Sequence, residues 1–280
     1  MKTRTLVYLV TLTLLLLPTT AFGQILYGIS AGAGVDDFGE NLSDSESAFV
    51  GIAQASVVSS RGSYADATAT WGVLRLAGEV TSVNQPNPQP GVPQSYFAGA
   101  RFHDFLTINS PGKFGTDGFV TIAYRLDGSI GFQGAPDPQY PNDTRGKVGY
   151  VSRMFVNGAS DITEYGIFDD GSFGPDADIL NLTQTFQVPI TFGFSFIVDW
   201  FVTTDGRVNS RVPSSAFSAL NQTGTWQGIP EVTDALGQPV AFTVSATSGT
   251  DYGSALPEPG TGSLIVIAMA FLGRWRRGAR

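Results

Sequence analysis

The sequence predicts an all-β chain folded as one antiparallel β-sandwich, and three observations lead there. Apolar residues recur at every second position in several stretches. Gly, Asp-Gly and Asn-Gly turn signals separate those stretches at intervals of about 8 to 12 residues. No amphipathic helical pattern longer than a few turns lies between them. Charged residues make up 14% of the 280, with 34 Gly and a 12% aromatic content, which excludes a disordered tail or a coiled coil. Repeated short strands of this kind suit a jelly-roll-like sandwich.

The chain opens with a segment that is not part of the fold. Lys2 and Arg4 precede an apolar core from Leu6 to Leu17, and Pro18 comes before Ala21-Phe22-Gly23. These are the three regions of a secretory signal peptide, residues 1–23, cut between Gly23 and Gln24. Residues 24–256 are then a single exported domain.

Within that domain Gly28-Ile29-Ser30-Ala31-Gly32 matches the nucleophile-elbow spacing. The elbow requires a following helix in an α/β fold, and none is patterned here. Asp36, Asp37, Glu40, Asp44 and Glu46 form an acidic run that reads as a solvated or mobile N-terminal segment. Ala53, Ala55, Ala65, Ala67 and Ala69 give small-faced early strands, either under a close neighbouring layer or at a sheet edge. Pro86, Pro88, Pro90 and Pro93 mark an irregular loop over 84–94.

His103, the sole histidine, sits beside Asp104 in an alternating segment. Strand neighbours point to opposite faces, so Asp104 is not placed to orient His103 in a triad. Val120, Ile122, Tyr124 and Leu126 share one face, and Asp127-Gly128 predicts a hairpin turn. Val148 to Val156 alternates likewise, with Asn157-Gly158 as a second turn before Ile162 to Phe168. Asp169, Asp170, Asp176 and Asp178 then form an acidic, Gly-rich loop that reads as a solvated turn. The alternative is a Ca²⁺ site built from carboxylates and loop carbonyls, although the spacing lacks the EF-hand Glu.

Phe192, Phe194, Phe196, Val198, Trp200 and Val202 make the clearest strand, with Asp205-Gly206 as the turn after it. Phe242, Val244 and Ala246 predict the last strand. Trp200 belongs in the core by register, whereas Trp226 and Tyr140 lie in loop-like sequence; Trp71, Tyr64, Tyr96 and Tyr165 complete the aromatics able to stack on sugars.

The C-terminal segment, 257–280, has three parts. Pro257-Glu258-Pro259 leads into an apolar stretch over 260–273 that contains Leu264, Ile265, Val266, Ile267, Phe271 and Leu272, and Arg274, Arg276, Arg277 and Arg280 follow. A helix of that length rises about 21 Å, short of a ~30 Å hydrocarbon core, so it crosses where the bilayer thins and the arginines snorkel. The basic cluster stays cytoplasmic and the domain lies on the far side, in agreement with the leader.

These three parts resemble the PEP-CTERM sorting signal of Gram-negative bacteria. The resemblance implies processing near Pro257-Glu258-Pro259 by an exosortase, which makes those residues substrate rather than catalyst. It also implies transient anchoring in the inner membrane, then delivery to the cell surface or the surrounding polysaccharide. A looser resemblance to the body of such exported proteins runs through Ser59 to Ser82, Leu126-Asp127-Gly128 and Ala216 to Ile229, and carries no catalytic motif.

The expectation is therefore a non-enzymatic exported surface or matrix protein without a cofactor. Signal peptidase and an exosortase are its processing partners, and exopolysaccharide is a further partner. The alternative is a carbohydrate-binding jelly-roll module, with Ca²⁺ at 169–178; a hydrolase would need a carboxylate pair across a cleft. The absence of Cys removes disulfides and thiolate chemistry. Residues 24–256 hold 10 basic against 23 acidic residues, a net charge of −13 that excludes a nucleic-acid backbone as partner.

Overall fold

A computed structural model describes residues 27–37, 39–82, 93–134, 146–157, 159–168, 176–209 and 214–256. The predicted leader, residues 1–23, with Gln24, the loop segment 83–92, and the whole of 257–280 lie outside them. The described chain is all-β: two antiparallel sheets packed face to face as a β-sandwich.

The strands are β1 (Gly28–Asp37), β2 (Glu40–Ala48), β3 (Ala53–Val58), β4 (Tyr64–Thr70), β5 (Val73–Ser82), β6 (Pro93–Asn109), β7 (Asp117–Gly134), β8 (Gly146–Val156), β9 (Ala159–Phe168), β10 (Asp176–Thr191), β11 (Ser195–Asn209), β12 (Ser214–Asp234) and β13 (Thr243–Ala246). One sheet runs β2-β1-β6-β11-β8-β9, with β13 also on β6; the other runs β10-β7-β12-β5-β4-β3. From β5 to β8, and again from β9 to β13, each successive strand changes sheet, which interlocks the layers.

Period-2 patterning decides what enters the core. Along β6, Tyr96, Ala98, Ala100, Phe102, Leu106 and Ile108 are buried, while Arg101, His103 and Phe105 face outward. Phe102 is the hub, with ring centroids 5.9 Å from Trp200, 5.9 Å from Tyr252, 6.4 Å from Trp226 and 6.5 Å from Trp71. The alanine strands are both under a close layer and at an edge. Ala53, Ala55, Ala65, Ala67 and Ala69 are buried against β1, itself lined by Ala31 and Ala33, and β3 ends its sheet.

Two predicted turns are strand instead. β7 passes through Asp127-Gly128 without turning, paired continuously with Leu180 and Asn181 of β10. The irregularity falls on the other side, where four residues of β12 between Ser218 and Thr223 face two of β7, a bulge. β11 likewise continues through Asp205-Gly206. Gly206 is there for packing: a Cβ on it would lie 2.1 Å from Cε1 of Tyr96, whose ring also closes on Gly78 of the opposite sheet. The Asn157-Gly158 turn stands, since Val156 pairs with Ala159 and Asn157 has a φ of 47°.

The predicted strand from Phe192 begins only at Ser195. Phe192 is buried within the β10–β11 turn and Phe194 is exposed there. Pro93 and Gln94, assigned to the loop over 84–94, are the first residues of β6.

The acidic run is ordered strand, not a mobile segment. β2 forms one edge of its sheet, and its carboxylates reach the edge of the other. Glu46 accepts from the Gln54 N–H at 2.7 Å, Asp44 from Ser56 N–H at 3.0 Å, and Glu40 from Ser60 N–H and Oγ at 3.1 and 2.7 Å. Side-chain oxygens thereby satisfy strand-edge donors that would otherwise template another chain. Deeper in, Asp37 accepts from Ser59 Oγ at 2.6 Å and Gln94 Nε2 at 2.8 Å, tying β1 and β6 to the segment after β3.

Candidate functional site

The described chain ends in a clasp that ties residues 247–256 to β6 and β12. β1 and β13 share one edge of β6: β1 pairs with Ser95 to His103, and β13 with Leu106 to Asn109. Asp104 falls in the gap between them, on the inward register and fully buried. Its carboxylate accepts from Phe105 N–H at 2.8 Å, from Ser248 N–H at 3.2 Å, and from the Ser248 hydroxyl. A buried carboxylate is costly unless donors surround it, and here backbone and hydroxyl donors do so. The charge thus holds the chain after β13 against the gap.

Beyond Ser248 the chain turns at Gly249, whose φ of 78° suits glycine, and Tyr252 enters the core. Tyr252 stacks on Phe102 with an interplanar angle of 27° and meets Trp226 edge-on at 5.1 Å. Burial, with the Asp104 charge nearby, pushes its hydroxyl pKa upward, so it stays neutral. The Trp226 indole N–H donates to the Tyr252 carbonyl at 3.0 Å, and Leu256 N–H donates to the Trp226 carbonyl at 3.1 Å. Trp226 N–H in turn donates to Gly72 O at 2.8 Å. Leu256 seats directly on Gly72, where a Cβ would come 2.1 Å from Leu256 Cδ1. The backbone is thus held up to the residue before Pro257.

A second polar group lies on the outer face of β6. Arg101 makes a bidentate pair with Asp199 of β11, Nε to Oδ1 at 2.7 Å and Nη2 to Oδ2 at 2.6 Å. His103 Nδ1 approaches Asp199 at 3.7 Å, in ion-pair range but beyond a hydrogen bond, so Arg101 is the firmer partner. Burial opposes ionisation of Asp199, but His103 and Arg101 outweigh it and hold its pKa below the usual carboxylate range. His103 and Asp104 do face opposite sides.

The residues expected to carry function fall mostly elsewhere. Pro257, Glu258 and Pro259, the anchor residues Leu264 to Leu272, the cluster Arg274 to Arg280, and the Gly23–Gln24 bond all lie outside the described residues. So do Asp169 and Asp170, whereas Asp176 and Asp178 are backbone-paired with Phe132 and Ile130 at the start of β10 rather than in a loop. Among the described residues no group of His, Asp and Glu is arranged to hold a metal, and no helix is long and apolar enough to cross a membrane. The Gly28 to Gly32 segment is strand β1 with Ser30 buried, not an elbow. Trp226, expected in a loop, is a fully buried β12 residue.

The clasp has one signal in the sequence. Asp104 interrupts the apolar face of Phe102, Leu106 and Ile108, and a carboxylate on an inward register demands buried donors. The identity of those donors, 144 residues further on at Ser248, has no local signature.

No protein-family model matches the chain, and none of the curated proteins does. Similar solved structures include a carbohydrate-binding module of the β-sandwich superfamily, at 9% identity over 70% of this chain and 84% of that one, with a TM-score of 0.17. They also include infectious bursal disease virus, Gx strain, at 9% identity over 89% of this chain and 75% of that one, TM-score 0.16. A third is a T=1 particle derived from infectious bursal virus, at 10% identity over 89% and 85%, TM-score 0.16.

Proposed function

We propose that the chain is a non-enzymatic exported protein whose β-sandwich is handed to an exosortase by a PEP-CTERM-like tail and then displayed at, or released from, the cell surface. The observation that carries this reading is a junction. The C-terminal-most backbone hydrogen bond among the described residues, Leu256 N–H to Trp226 O, immediately precedes Pro257-Glu258-Pro259, the apolar run and the arginines in sequence. A processing enzyme acting there cuts next to a closed domain without opening it.

In this reading the leader is removed at Gly23–Gln24, the segment over 260–273 anchors the chain transiently in the inner membrane, and the mature domain meets exopolysaccharide outside. A jelly-roll-like glycan-binding module is less favoured. Trp200 and Trp226 are buried in the core, which leaves half-buried Trp71 as the tryptophan among the described residues that reaches the surface.

The test is to express the full chain in hosts with and without an exosortase and to weigh the product by intact-mass spectrometry. Loss of the C-terminal segment only when the enzyme is present is the expected result. A tail that stays intact in both hosts refutes the sorting role.

A further inference from the structure

The first and last described residues of the sandwich meet at one rim. Tyr27 stacks on Trp71 at 6.4 Å and packs against Phe49 at 5.6 Å, while Leu256 sits on Gly72, the neighbour of Trp71 in the β4–β5 turn. The β2–β3 turn beside Tyr27 exposes three large apolar side chains in succession: Phe49 at 56%, Val50 at 79% and Ile52 at 47% of full exposure. Solvated turns are rich in polar residues, so the Phe49-Val50-Gly51-Ile52 turn is an exposed apolar patch, of which Phe49 packs back onto Tyr27. The acid closest to it in sequence, Glu46, is engaged on Gln54 N–H at the sandwich edge.

The C-terminal apolar segment follows directly from this rim. Four Cα steps separate Leu256 from Gly260, where the C-terminal apolar segment starts, a reach of at most ~14 Å. A body whose inserted segment starts that close cannot stand off from the bilayer, and the side nearest the exit must face the headgroups. Partial burial of aromatic and aliphatic side chains at that depth is favourable.

We propose that the rim formed by Phe49, Val50 and Ile52, with Tyr27 and Trp71 behind it, is a membrane-docking surface that seats the sandwich on the bilayer while the tail is inserted. It rests on the anchoring role proposed above. Docking would hold Pro257-Glu258-Pro259 at the headgroup level, where an intramembrane processing enzyme can reach it. With a net charge of −13 on residues 24–256, the contact is apolar insertion and not attraction to anionic lipid.

The chain has no Cys, so a single reporter is easily introduced. Val50→Cys in the full-length chain is labelled with an environment-sensitive fluorophore and reconstituted in phosphatidylcholine vesicles. Val58→Cys, 63% exposed at the opposite end of β3, is the control. The expected result is co-flotation with vesicles, a blue-shifted Val50→Cys emission quenched by spin-labelled lipid, and a water-like Val58→Cys emission. Flotation with both reporters water-like overturns the docking surface alone. Failure to float overturns the anchoring reading and the docking surface with it. A blue shift of Val50→Cys that appears without vesicles and grows with protein concentration assigns the rim to a second copy of the chain and also overturns the proposal.

Discussion

Phe102 and Phe105 lie three positions apart on β6, and the sandwich assigns them opposite fates. Phe102 is fully buried and touches four aromatic rings at 5.9 to 6.5 Å. Phe105 is half-buried on the outer face, against His103 at 5.6 Å. Replacing a buried Phe by Ala costs about 3 to 5 kcal/mol, from lost transfer energy plus the cavity left behind. Each ring pair adds about 0.5 to 1.5 kcal/mol beyond burial, so Phe102→Ala belongs at the upper end, about 4 to 5 kcal/mol. Phe105→Ala removes the same atoms from a partly solvated site and should cost about 1 kcal/mol. For a domain of this size each kcal/mol moves Tm by about 2 to 4 °C, which separates the variants by at least about 6 °C. Urea unfolding with thermal melts on the protein measures both, with the urea slope unchanged. Equal losses, or a larger loss for Phe105→Ala, would refute the inward register of β6 and the aromatic hub.

Other perturbations test the remaining contacts. Asp104→Ala strands three donors at the clasp, so it should loosen the end of the chain. Hydrogen exchange over 247–256 should rise at least tenfold while β7 and β12 stay protected. Gly206→Ala drives a methyl to 2.1 Å from the Tyr96 ring and should cost about 1 to 3 kcal/mol by chemical denaturation, whereas Gly34→Ala, with its nearest atom 3.6 Å away, should cost under about 1 kcal/mol. Because the Asp199 pKa is lowered on folding, the unfolded chain binds more protons near pH 4. The stabilisation from Asp199 is thus complete above its unfolded value of about 3.9 and is lost as pH falls through the lower folded value. Asp199→Asn should flatten that acid limb in melts between pH 5 and about 2.5, and an unchanged limb would argue against the Arg101 pair. Asp44→Ala with Glu46→Ala bares the N–H groups of Ser56 and Gln54 on edge strand β3, so light scattering should show self-association absent from the parent chain.

What was readable in the sequence follows from how local each signal is. Alternation is a property of the strand itself, so Val120 to Leu126, Val148 to Val156 and Phe196 to Val202 predicted their own buried faces. Asn157-Gly158 also predicted its turn, because Asn157 tolerates the positive φ the turn imposes. Asp127-Gly128 and Asp205-Gly206 carry the same type of dipeptide and do not turn. In the first a bulge on β12 absorbs the irregularity, and in the second Tyr96 needs the space of Gly206. A dipeptide that turns the chain and one whose glycine yields room look identical in one dimension.

The candidate site divides along the same line. Order along the chain, composition and apolar run length are one-dimensional, so the basic and apolar N-terminal run, the acidic body, and the Pro-Glu-Pro, apolar and arginine sequence are legible directly in residues 1–23, 24–256 and 257–280. Only the tertiary structure decided that Asp104 meets Ser248 across 144 residues, that the acids of β2 cap β3, and that Tyr27 and Leu256 flank one Trp71-Gly72 turn. Those are distances between segments far apart in the chain. They follow from which strands share an edge and which face each other across the core, and no local pattern of residues encodes that pairing.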